Sequence, residues 1–143
     1  MKYADQDLLA DLSRFYGGMR RWFDRAMMEQ GASLAKTKLL IVIQHEGGKL
    51  RAADIADRFG VAPRTVTEGL DALEREGLVV RTPDPDDRRV KRLAITPAGE
   101  AAVAVTEPLR QRLAQDILSV LDDEERRNFH EALRKLLRCV VKD

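Results

Sequence analysis

The stretch that decides the fold is Ala53-Asp-Ile-Ala-Asp-Arg-Phe-Gly60, followed two residues later by Pro63-Arg-Thr-Val-Thr-Glu-Gly-Leu-Asp-Ala-Leu-Glu-Arg75. The first segment reads as a short helix halted at Gly60, and the second as a helix opened by Pro63. Proline suits a first helical turn, where its missing N–H has no intrahelical acceptor. Where two helices of a tight-turn motif cross, one side chain has to be small, and Ala56 is there. Gly60, four residues on, supplies a residue tolerant of positive φ for the turn. Val66, six further on, locks the second helix onto the first. Ile55, Phe59, Leu70 and Leu73 complete an apolar face at helical intervals.

Leu78-Val-Val-Arg81 and Val90-Lys-Arg-Leu-Ala-Ile95 then read as two strands around the polar loop Thr82-Pro-Asp-Pro-Asp-Asp-Arg-Arg89. Helix, tight turn, helix and a hairpin with a basic tip is the plan of a winged helix-turn-helix. On the second helix Arg64, Thr65, Thr67 and Glu68 point away from Val66 and Leu70. If that helix lies in a major groove, Arg64 can pair with guanine and the threonines can bond phosphate or touch a thymine methyl. Glu68 either accepts from a cytosine amino group or is simply solvated. In the loop, Asp87, Arg88 and Arg89 form a charged tip, and a narrow A·T-rich minor groove attracts an inserted arginine. Asp87 is expected to hold Arg89 extended.

Outward from this motif, residues 5–30 carry Leu8, Leu12, Phe15, Met19, Phe23 and Ala26 in a three-four alternation, widened by Leu9, Tyr16, Trp22 and Met27. Gly17-Gly18 within it predicts a close crossing or a kink. Residues 34–46 form a further helix around Leu39, Leu40, Val42 and Ile43, and Lys49-Leu50-Arg51 fits a short extended segment. Thr96-Pro97 is a helix start, with a hydroxyl cap before the proline, and Pro108 predicts a kink further along. A last helix begins at Asp122, with Glu125 placed for a capping box, and carries Phe129, Leu133, Leu136, Leu137 and Val140. The expected class is mainly α with a small β-hairpin wing: residues 34–96 as the DNA-binding part of one domain over 1–143, with 5–30 and 97–141 as dimerisation helices. The apolar stripes at both ends exceed what so small a motif covers, so the chain is expected to pair with itself as a homodimer.

With 143 residues, 44% hydrophobic and 34% charged, the chain suits a helix-rich globular protein. Its net charge is only +1, so bulk charge alone does not indicate nucleic acid. Distribution adds a local signal: residues 36–64 hold six bases against three acids, and residues 78–92 five against three. No run approaches the ~18–20 apolar residues that span a bilayer, and the first residues lack an apolar signal core. With the single Cys139, these features lead us to expect a cytoplasmic protein without a disulfide framework and with no membrane contact. His45 and His130 have no second Cys or His at ligand spacing, so no metal is expected. No phosphate loop, triad spacing or glycine fingerprint points to an enzyme or a cofactor. A winged helix that binds protein rather than specific DNA is the alternative, because the net charge is near zero.

Asp84-Pro-Asp-Asp-Arg-Arg followed by Leu93-Ala-Ile-Thr-Pro-Ala-Gly99 resembles the wing and following helix start of the MarR family of bacterial transcriptional regulators. Pro63-Arg-Thr-Val-Thr with Leu73-Glu-Arg-Glu-Gly-Leu-Val79 is similar to that family's recognition helix and its exit. The resemblance implies a dimer on a pseudo-palindromic operator of double-stranded DNA, usually a repressor released by a small effector, with Arg89 as the minor-groove residue. It also implies an aromatic ligand between the dimer helices and the winged core, for which Tyr16, Met19, Trp22, Phe23 and His45 are candidates; ordinary packing is the competing reading of each. Cys139 does not stand where the family's peroxide sensors carry theirs, and reads as a buried or rim thiol. Two departures stand out: Ala53 and Ala62 occupy positions where family members commonly cap the motif helices with Ser or Thr.

Overall fold

A computed structural model describes residues 4–48 and 50–141. Along the chain run α1 (Asp5–Glu29), α2 (Leu34–Glu46), α3 (Ala52–Phe59), α4 (Pro63–Arg75), β1 (Val79–Pro83), β2 (Lys91–Ile95), α5 (Pro97–Leu118) and α6 (Asp123–Val140). The chain divides into one compact unit up to Pro108 and a second from Leu109. The mainly α class with a two-stranded hairpin is as the sequence predicts.

The first unit is built on the apolar spacing of the motif. Ile55, Ala56, Val66, Leu70 and Leu73 are buried with Leu39, Leu40 and Ile43 of α2, Val79 and Leu93 of the hairpin, and Val103 of α5. Phe59 packs at the edge of this cluster rather than inside it. The turn between α3 and α4 depends on Gly60, which adopts φ 63° and ψ 36°. In that left-handed conformation the Val61 N–H turns back to the Ala56 carbonyl at 3.1 Å, which satisfies a helix-end acceptor. A second glycine is dictated by space. A Cβ on Gly99 would lie 2.2 Å from the Leu78 carbonyl oxygen, so the start of α5 packs directly on the exit from α4.

β1 and β2 pair antiparallel from Val79↔Ile95 to Pro83↔Lys91. Gly48 bridges to Leu93 on the other side of β2, with N–H···O contacts of 2.9 and 2.8 Å, so the second strand is partnered on both edges there. Of the extended segment expected at Lys49-Leu50-Arg51, only this isolated bridge at the neighbouring Gly48 is seen; Leu50 and Arg51 belong to no strand, and Lys49 lies outside the described residues.

Helix starts follow the expected chemistry. The Thr96 hydroxyl accepts from the Gly99 N–H at 3.1 Å and donates to the Gly77 carbonyl at 2.7 Å, which ties α5 to the turn before β1. Asp122 and Glu125 form a reciprocal capping box. One boundary needs correction: α3 starts at Ala52 with Arg51 as its cap residue, not at Ala53. Neither Arg51 nor Ala62 gives its helix a side-chain cap. Gly17-Gly18 sits in a continuous α1, and among the described residues a Cβ on either would meet only the Arg21 guanidinium, so no close crossing explains the pair. α5 is assigned as one helix through Pro108.

The end helices are the counterpart to this core. In α1 only Met27 is buried, while Leu8, Leu9, Phe15, Tyr16 and Trp22 stay exposed. In α6 no residue is buried. Cys139, expected to be buried or at a rim, is exposed on that helix.

Candidate nucleic-acid interface

The second motif helix, α4, splits cleanly into two faces. Val66, Leu70 and Leu73 are buried, whereas Arg64, Thr65, Thr67 and Glu68 are all exposed on the first two turns. This follows from the 3.6-residue period: once Val66 and Leu70 face inward, the residues on either side must face out. The Thr67 hydroxyl donates to the Pro63 carbonyl at 3.1 Å, a back-bond within the helix. Arg64 is not free. Its Nε lies 2.9 Å from Glu68 Oε1, one turn on, with the two side chains 89% and 64% exposed. A solvated pair of this spacing is worth only ~0.3–0.5 kcal/mol, so DNA can displace it at little cost.

The local basic surplus around α2 and α3 is also largely engaged. Arg58 grips Glu46 with both guanidinium nitrogens, Nη2 at 2.7 Å from Oε2. That hydrogen bond lowers the Glu46 carboxyl from its ordinary value and raises Arg58. Lys36 pairs with Glu76 at the end of α4, and Lys38 sits 5.4 Å from the centre of the Phe59 ring. Arg81 of β1, with its side chain 24% exposed, reaches Asp71 of α4 at 2.7 Å and Glu74 at 3.7 Å. These bridges brace the recognition helix against α2 and the hairpin. They also remove several charges from any free basic stripe.

The wing keeps its cations. Among the described residues, Arg88, Arg89 and Lys91 have no carboxylate partner, and all three are exposed. Asp87 orders the main chain of this tip: its side-chain Oδ1 accepts from the Arg89 N–H at 3.0 Å, and its carbonyl accepts from the Val90 N–H at 3.0 Å. The expected hold on Arg89 is therefore on the main chain, not on the guanidinium.

Sequence reasoning missed the residue at the centre of the wing. Asp84 is 1% exposed. Its Oδ1 accepts from the Asp86 and Asp87 amides at 2.8 and 3.2 Å, and its Oδ2 from Arg92 Nε at 2.7 Å. The Arg92 guanidinium, then the Asp86 amide, hold the carboxyl down at about 2, against an ordinary 3.8. A signal was present: an Asp two residues before a second Asp in a proline-flanked loop is an Asx-turn pattern.

The five effector candidates lie along α1 and at the end of α2. Tyr16, Trp22 and His45 are exposed, Met19 and Phe23 partly buried. Trp22 and Phe23 meet edge to face at 5.6 Å between ring centres, and Arg20 lies over the Tyr16 ring at 5.8 Å. A separate cleft of about 180 Å³ opens behind α4, walled by Arg20, Ala35, Leu39, Phe59, Val61 and Gly69 among others; none of the five candidates lines it.

Known proteins with this architecture supply the family. The MarR family model matches residues 33–91, from the start of α2 into β2. The HTH-type transcriptional repressor MdtR of Bacillus subtilis is 30% identical over 146 residues, covering all of this chain and 94% of that protein. A putative transcriptional regulatory protein for the hcr operon of Thauera aromatica is 34% identical over 70% of this chain and 60% of its own length. The crystal structure of the transcriptional regulator BldR from Sulfolobus solfataricus superposes with a TM-score of 0.82 at 25% identity, over 98% of this chain and 100% of that one. A crystal structure of MarR gives 0.79 at 25% identity, over 98% and 96%. A tight-turn helix pair, an outward polar face on its second helix and a basic wing thus coincide with similarity along the whole chain. The chain belongs to the MarR family and is a winged helix-turn-helix, DNA-binding transcriptional regulator.

Proposed function

We propose that the protein acts as a homodimeric repressor on a pseudo-palindromic operator, with α4 in the major groove and the wing in the adjacent minor groove. The observation that carries this is the outward face of α4: Arg64, Thr65, Thr67 and Glu68 are exposed while Val66, Leu70 and Leu73 pin the helix beneath them. Arg64 reads guanine once Glu68 releases it, the threonines contact phosphate or thymine methyl, and Glu68 then faces cytosine. Asp87, Arg88 and Arg89 supply the wing contact, with Arg89 in the minor groove. Repression is supported by the similarity to MdtR, a repressor over nearly its whole length.

Residues 34–96 are the DNA-binding part, and the end helices 5–30 and 97–141 are the dimer-forming part. Support for pairing lies in α1 and α6, whose apolar stripes are bare in a single chain: Leu8 is 64% exposed, Leu137 53% and Val140 78%. Two copies would place two α4 helices on one duplex, as a palindromic site requires. A small aromatic effector bound near Tyr16, Met19, Trp22, Phe23 or His45 is the proposed release signal, and the protein works in the cytoplasm.

The test is a binding isotherm on the duplex that the purified protein retains from its own genome. Arg64→Ala and Arg89→Ala should each weaken binding, and the affinity should fall steeply with salt as counterions are released. Unchanged affinity in both variants removes this reading surface. Salt-insensitive capture of a protein ligand by the same face favours an interaction module instead.

A further inference from the structure

A carboxylate at the tip of a hairpin normally faces water, because burying it without partners is expensive. Asp84 is fully buried in just such a loop. Each of its oxygens serves a separate end of the loop. Oδ1 gathers the Asp86 and Asp87 amides and so turns the chain, while Oδ2 takes Nε of Arg92 on the returning strand. The Asp84 N–H extends the ladder past its last strand pair by donating to the Val90 carbonyl at 2.9 Å. Pro83 and Pro85 restrict the backbone on either side of the aspartate. Arg92 is thereby drawn inward, to 40% side-chain exposure. Arg88, Arg89 and Lys91 remain as the outward cations of the loop.

We propose that Asp84 and Arg92 are positioning residues for DNA binding: their clamp holds the wing tip in one shape, so that Arg89 reaches the minor groove without a large loss of chain entropy. Neither side chain needs to touch DNA. The clamp works because a loop ordered before contact gives up less freedom on binding. It rests on the reading of the wing as a minor-groove element. The depressed Asp84 carboxyl is consistent with it, since the carboxylate stays charged down to about pH 2.

The experiment compares wild type, Asp84→Asn, Arg89→Ala and the double variant on the duplex retained from the genome, by fluorescence anisotropy at fixed salt. Arg89→Ala should weaken binding by about tenfold, as expected for losing one inserted arginine. Asp84→Asn should weaken it by a similar factor, although residue 84 faces the protein. The double variant should be no weaker than the worse single one, because both changes abolish the same contact. Hydrogen exchange should quicken at the Asp86 and Asp87 amides in Asp84→Asn and stay unchanged in α4.

If Asp84→Asn folds and binds like wild type while Arg89→Ala is weakened, the clamp is wrong and the wing reading survives. Additive losses in the double variant also overturn the clamp, since Asp84 would then act elsewhere. If Arg89→Ala binds like wild type, the wing reading fails and the clamp goes with it. Should Asp84→Asn not fold, Arg92→Gln carries the same comparison, because it leaves the two backbone amides on Asp84 in place.

Discussion

The helix-turn-helix core and the terminal helices use the same kind of apolar periodicity to opposite ends. In the core, Ile55, Leu73 and Val79 are at most 1% exposed, and every large apolar position predicted for the motif is at least half covered. On α1 and α6, equally regular stripes lie open, from Leu8 and Leu9 to Leu137 and Val140. Periodicity therefore shows which face of a helix is destined for burial, but not whether the cover comes from the same chain. Short connections decide that for the motif: Gly60 and Gly77 return the chain within a few residues, so each helix meets its neighbour at once. The electrostatics divide in a parallel way. Several cations of the core, Arg58 and Arg81 among them, are braced against carboxylates, whereas among the described residues Arg88, Arg89 and Lys91 of the wing have no carboxylate partner.

The contrast breaks most visibly in the core. Ile55→Ala removes a fully buried side chain and should lower unfolding free energy by ~2–5 kcal/mol in a urea titration. Leu137→Ala on α6 should leave the stability of an isolated chain nearly unchanged and show itself as a monomer shift in light scattering on dilution. If the two variants destabilise equally and independently of concentration, the terminal stripe is covered within the chain and the contrast falls. A smaller effect sharpens the account of the motif. Ala62→Ser adds the missing cap to α4, and thermal melts should show a gain of about 1 kcal/mol. Smaller still is Glu68→Gln. It frees an exposed Arg64 at a stability loss of about 0.5 kcal/mol or less, and should change the base preference at one operator position more than it changes the melt.

The gentlest test is acid. Asp84 has a folded value near 2 against an ordinary 3.8. A depressed carboxyl contributes stability that is complete above its unfolded value and is lost as pH falls towards the folded one. Wing amide protection should therefore hold at pH 5 and decline between roughly pH 4 and 2, and Asp84→Asn should flatten that decline. An unaltered profile in the variant would assign the acid sensitivity to other carboxylates.

Much of the fold was legible because it is written in short-range spacing. Ala56, Gly60 and Val66 set a crossing, a turn and a lock within eleven residues, and each does its work through local geometry. Thr96 and Asp122 were readable as caps for the same reason, since a cap acts on an amide three residues away. The candidate site was legible where it depends on which way a helical residue faces. It was misread where it depends on partners. Arg58 finds Glu46 across twelve residues and Lys36 finds Glu76 across forty, so a positive stretch of sequence became a set of neutral braces.

By itself, then, the chain's order of residues determined the helix pair, the hairpin, the outward face of α4 and the arginine-tipped wing, because each arises from contacts over at most a few turns. Only the tertiary structure decided that Asp84 is a buried anchor, that Arg58 is braced on Glu46, and that Arg81 ties β1 to α4. Burial and ion pairing depend on what surrounds a side chain in space, and that is known only once distant segments have packed together.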